Sequence, residues 1–137
     1  MKYNATFCDP FSPDIIQLPD IAQEQIITEF EKINWRDYLQ KMSNVPQKEI
    51  HYSPSFEVYN PVNKTGLIIS AVGEPDKYEF YIFYKRPKTV KLLFGLIKKS
   101  NEEYTSDTTG QTKQDAIDCL NALIKNDDAY LANKIGQ

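Results

Sequence analysis

The chain has few of the residues that most often carry chemistry. Among its 137 residues there is one histidine, His51, so a histidine-rich metal site is excluded. Cys8 and Cys119 lie far apart in the sequence and form no ligand pair. Two cysteines also fall short of the disulfide framework that staples small secreted domains. Cys119 sits inside a helical pattern and reads as a buried free thiol. Cys8 lies in a proline-flanked leader and is the one thiol expected to be accessible. The five glycines, at 66, 73, 95, 110 and 136, are too scattered to cradle a phosphate. Thr108-Thr109-Gly110-Gln111-Thr112 comes nearest, because it leads into a helix start, but it lacks the lysine of a P-loop. It reads as a connector that ends on a threonine cap.

No segment approaches the ~18 apolar residues of a membrane span, and residues 1–7 lack the apolar core of a signal peptide. A cytoplasmic protein with no membrane association is the expectation. No calcium-loop pattern of alternating aspartates occurs. The acidic pairs Glu102-Glu103 and Asp127-Asp128 have structural explanations: the first answers Lys98 and Lys99, the second caps a helix. His51 would need a nucleophile beside it to act as a general base. Cys8 is the only accessible thiol on offer, and nothing local joins the two, so His51 reads as an ordinary surface or strand-edge residue. No catalytic residue, metal ligand or cofactor is assigned.

Aromatic residues are plentiful. Nine tyrosines and seven phenylalanines suit strands, and they also suit surfaces that recognise partners. The length fits one domain spanning residues 1–137, with enough chain to bury a core unaided. Residues 1–19, broken by Pro10, Pro13 and Pro19, read as an irregular leader whose Phe7, Phe11, Ile15, Ile16 and Leu18 pack onto the domain.

Helical spacing then runs over 20–42, with Asp20 as a candidate cap and Ile26, Ile27, Phe30 and Ile33 on one face. Asn34, with Asp37 three residues on, marks the start of a second piece that carries Trp35, Tyr38, Leu39 and Met42. The pattern leaves open whether this is one kinked helix or two.

The period next changes to two. Strands are predicted at 55–59, 67–72, 78–85 and 89–98, with a fifth, short edge strand at 103–107. Arg86-Pro87-Lys88 reads as a tight connection, and Gly95 as a bulge. Both sides of 78–85 carry aromatics, which predicts cover on both faces of the sheet. A last helix starts at Thr112, with Asp115 in the capping position and a stripe of Ala116, Ile117, Leu120, Leu123 and Ile124. Asn126 suits a left-handed helix end, and Asp127 caps a short final helix. The expected fold is α+β: an antiparallel meander of four to five strands flanked by N-terminal and C-terminal helices.

Charge is unevenly spread. The chain has net charge −3, yet residues 85–99 hold Lys85, Arg86, Lys88, Lys91, Lys98 and Lys99 and no acid. A positive stripe on an acidic protein attracts anionic partners. Lysines along a strand also discourage edge-to-edge aggregation, so the stripe has a second explanation.

The helix–strands–helix order is similar to that of the double-stranded-RNA-binding domain, whose last helix begins with phosphate-gripping lysines. Here that start reads Thr112-Lys113-Gln114-Asp115, with a second acid at Asp118, and the predicted strands exceed that family's three. The chain also looks like the small bacterial α+β proteins that include toxin-immunity proteins, which implies a protein partner.

The function expected is a non-enzymatic binding module of the immunity or regulatory kind. Its partner is a protein with an acidic surface, and the contact residues are Tyr84 as an aromatic anchor with Lys85, Arg86, Lys88 and Lys91. Two alternatives stand beside it. The 85–99 stripe could bind nucleic acid, with Tyr81 and Phe83 stacking on bases, although a pI near 5.2 is unusual for that task. A small enzyme could assemble its site only on folding.

Overall fold

The computed structural model describes residues 2–51, 53–92 and 97–136, with only the backbone course for 88–92 and 97–103. Six antiparallel strands form one sheet, in the order β2-β1-β3-β4-β5-β6. They are β1 (Lys2–Cys8), β2 (Ile15–Ala22), β3 (Ser55–Asn60), β4 (Thr65–Glu74), β5 (Lys77–Leu92) and β6 (Ile97–Gln111). Helices α1 (Gln23–Lys32) and α2 (Trp35–Ser43) join β2 to β3, and α3 (Lys113–Ile124) and α4 (Asp128–Ile135) follow β6. The α+β class and the antiparallel meander of β3 to β6 agree with the sequence pattern.

The leader is the main correction. It is a hairpin, β1 with β2, and not an irregular segment. Tyr3, Ala5 and Phe7 alternate inward along β1, and a period of two is a strand signal. Pro10 and Pro13 fall in the connecting loop. Pro19 falls in the edge strand β2, where a missing N–H need not break a ladder. Asp20 does not cap α1. It holds a left-handed φ of 56° where the β1–β2 register slips. Two strands therefore precede the first helix, which departs from the element order of the double-stranded-RNA-binding domain.

The helical stretch resolves into two helices. The Asn34 side chain accepts from the Asp37 backbone N–H at 3.3 Å and donates to Asp37 Oδ2 at 2.7 Å, so a fresh helix starts there. At α3, Thr112 Oγ1 accepts from Asp115 N at 3.1 Å while Asp115 Oδ2 accepts from Thr112 N at 2.9 Å, a reciprocal cap. Asn126 takes φ 57°, and Asp127 Oδ1 caps α4 by accepting from Tyr130 N.

Arg86-Pro87-Lys88 is not a connection, because β5 runs straight through it. Arg86 pairs with Tyr104 and Lys88 with Asn101, so the ladder is irregular at Pro87. Proline survives inside a strand at such a bulge. The expected strands 78–85 and 89–98 are thus β5 and the start of β6, and β6 is longer than the short edge strand expected. Gly95 lies outside the described residues.

The helices cover one face of the sheet. Phe30 of α1 meets Phe56 at 6.0 Å and Phe80 at 5.9 Å, and Trp35 of α2 meets Phe80 edge-on at 5.3 Å. Leu120, Leu123 and Leu131 complete the core over Leu67, Ile69 and Ile82. On the opposite face Tyr59, Ile68, Tyr81 and Phe83 are half-buried. Among the described residues the helical layer lies on the first face only, and the second face is covered in part. No described helix is long and apolar enough to cross a membrane.

Candidate binding surfaces

Gly66 is the last β4 residue paired with β5, opposite Lys85. Beyond it, among the described residues, β5 has only β6 as a ladder partner, and the two strands continue as a ribbon out to Leu92 opposite Ile97. Lys91 stands across from Lys98, Val90 from Lys99 and Lys88 from Asn101. The basic stretch of the sequence is therefore this ribbon and its root. The side chains of Lys88 and Lys91 lie outside the described residues.

The three described candidates at the root have different environments. Tyr84 is 1% exposed and belongs to the core. Its hydroxyl donates to Asp128 Oδ1 at 3.0 Å, and burial, then the Asp128 carboxylate, push it well above the usual phenol range. Its ring is not presented to solvent as an anchor would be.

Arg86 follows two residues on, on the same side. Its Nη1 donates to Ser106 Oγ at 2.7 Å and to the Tyr84 carbonyl at 3.3 Å, and its Nη2 donates to the Gly136 carbonyl at 3.0 Å. The guanidinium also lies against the rings of Tyr84 (4.3 Å) and Tyr104 (5.0 Å). Arg86 thus ties the ribbon root to the chain end after α4.

Lys85 points to the other face. Its Nζ sits 5.9 Å from the Tyr59 ring centroid and 3.8 Å from Glu57 Oε1. That contact is half-exposed and weak. Strand alternation separates Lys85 from Tyr84 and Arg86, so the fold does not gather the five candidates on one side.

A second surface is concave. A cleft of about 630 Å³ opens between the β1–β2 hairpin and the α1–α2 corner. Phe7 and Phe56 form its floor, Leu18, Ile33 and Tyr38 its walls. Lys41 Nζ sits 4.3 Å over the Phe11 ring at the mouth. Ile16 of the edge strand also lines it and is 50% exposed, and its neighbour Ile15 is 41% exposed. Sequence reading found these apolar residues as packing groups. Their convergence was hidden, because it joins a hairpin and a helix corner distant in the chain.

The groups considered for catalysis stay apart from activated chemistry. Burial and then Glu57 push the Cys8 thiol up, the reverse of what a nucleophilic thiolate needs. His51 is exposed, and its backbone N–H donates to the Pro10 carbonyl at 2.7 Å. No cluster of three or more His, Cys, Asp or Glu suited to a metal ion forms among the described residues. Comparison of the chain with protein-family models, with curated proteins and with solved structures finds no match.

Proposed function

We propose that this protein is a non-enzymatic binding module, of the immunity or regulatory kind, that recognises a protein with an acidic surface through the β5–β6 ribbon. The observation that carries the reading is the placement of the charge. In a chain of net charge −3, lysines 88, 91, 98 and 99 all stand on the two-stranded extension that begins where β4 stops pairing. A cationic ribbon on an acidic body focuses a local field that steers anionic partners while the body repels them elsewhere. Lys85, half-exposed at the root, extends that field. Arg86 and Tyr84 hold the ribbon in place and are not contacts.

The test uses the full chain, a fluorescent poly-glutamate peptide and a single-stranded oligonucleotide of matched charge, followed by anisotropy over a range of salt. The peptide is expected to bind, and K88E/K91E/K98E/K99E to lose at least about tenfold, in line with the cost of reversing charges that steer and hold a partner. Equal binding by the variant would refute the reading. Preference for the oligonucleotide, with a steep salt slope, would replace it with nucleic-acid recognition.

A further inference from the structure

We propose that the cleft between the β1–β2 hairpin and the α1–α2 corner binds a small organic cation, an ammonium group attached to an apolar body. Its volume, about 630 Å³, falls among those of small-molecule sites, which run from roughly 300 to 1,000 Å³. Its floor and walls, from Phe7, Phe56, Leu18, Ile33 and Tyr38, suit an alkyl or aryl body.

The rim sets the sign of the charge. Asp9, Glu29 and Asp37 line the cleft against Lys32 and Lys41. Lys32 and Glu29 satisfy each other at 3.1 Å. Arg36, next to Asp37 in the chain, makes its ion pair with Asp76 at 2.8 Å and acts on Asp37 only through its field. Asp9 accepts from the Phe11 backbone N–H at 2.8 Å, and Asp37 from the Asn34 amide at 2.7 Å. Neither has an ion-pair partner among the described residues. Two carboxylates therefore face one remaining ammonium, and that one, Lys41, rests on the face of Phe11 and not on an acid.

Lys41 shows what the mouth of the cleft accepts. An ammonium over a phenyl ring is held by the ring quadrupole, and the attraction grows as water is excluded. A ligand ammonium entering among Phe11, Asp9 and Asp37 would take the place Lys41 holds, while its apolar part covers Phe7 and Phe56. The raised hydroxyl of Tyr38, caused by burial and then by Asp9, fits a cleft of negative potential.

Trp35, the only tryptophan, packs edge-on to Phe7 at 6.3 Å and reports on the cleft floor by its fluorescence. The full chain is titrated with octyltrimethylammonium and, separately, with octanoate of matching chain length. Saturable binding of the cation, at least tenfold tighter than the anion, is expected. Lys41→Gln should tighten it a few-fold by removing the internal competitor, and Asp9→Asn should weaken it. Amide NMR shifts should move at Phe7, Leu18, Ile33 and Tyr38, which keeps the test valid if a variant folds poorly. Octanoate binding as well as the cation, no saturable binding of either, weaker binding by Lys41→Gln, or shifts confined to other residues would each overturn the proposal.

Discussion

Replacing Arg86 by alanine tests the claim that this residue is part of the frame and not of a binding surface. The structure gives it three hydrogen bonds, at 2.7, 3.0 and 3.3 Å, and two aromatic neighbours. A hydrogen bond to a charged group contributes about 1.5–3 kcal/mol. The loss is not three times that. Ser106 Oγ still donates to the Gly136 carbonyl at 2.7 Å, so one acceptor stays satisfied after the guanidinium is gone. One strong bond and a partly exposed cation–π contact of roughly 0.5–1 kcal/mol remain to be lost, giving about 2–4 kcal/mol in all. For a chain of this size that lowers Tm by roughly 10 °C. Lys85→Ala, one residue away on the opposite face, removes a half-exposed ion pair and a distant contact with the Tyr59 ring, and should cost less than about 1 kcal/mol. Arg86→Lys keeps the charge but not the planar fork, and should fall between the two. Thermal and urea unfolding followed by circular dichroism give all three values. If Arg86→Ala proved no more destabilising than Lys85→Ala, the assignment of Arg86 to the frame would be wrong.

Three further outcomes are expected. Asp115, held below the usual carboxylate range by the Thr112 backbone N–H and then by Lys134, stabilises the fold above the unfolded-state carboxylate pKa and loses that contribution as pH falls through its own. Asp115→Asn should therefore lower the urea midpoint at pH 7 more than at pH 3. Trp35 Nε1 is buried with no acceptor among the described residues. Trp35→Phe should then cost less than about 1.5 kcal/mol by chemical denaturation, against roughly 3–5 for Trp35→Ala. Thiol labelling should proceed in two phases. Cys8 is half-buried and reacts first, and faster in Glu57→Gln, which leaves burial but removes the acid that adds to its effect on the thiol. Cys119, buried and pushed up to about 11 mainly by burial, should react only on unfolding.

The features legible in the sequence are those set by neighbours along the chain. Asn34, Thr112 and Asp127 mark helix starts because a cap is made between residues two or three apart. The alternation at Phe80, Ile82 and Tyr84 marks a buried strand face for an equally local reason. The prolines of residues 1–19 misled because their damage depends on the edge of the sheet they occupy. Pro19 is harmless on β2, and Pro87 at a bulge, and neither position can be read from a dipeptide.

By itself, then, the sequence determined the class of fold, the helix caps at Asn34, Thr112 and Asp127, and the concentration of positive charge in residues 85–99. Each of these depends on composition or on short-range periodicity. Tertiary structure alone decided that the Tyr84 hydroxyl meets Asp128, that Arg86 is consumed by Ser106 and Gly136, and that Phe7, Ile33 and Tyr38 meet in one cleft. Those outcomes depend on contacts 20, 50 or more residues apart, or on which face of a strand meets the helices. A pattern of local spacing contains no information about either.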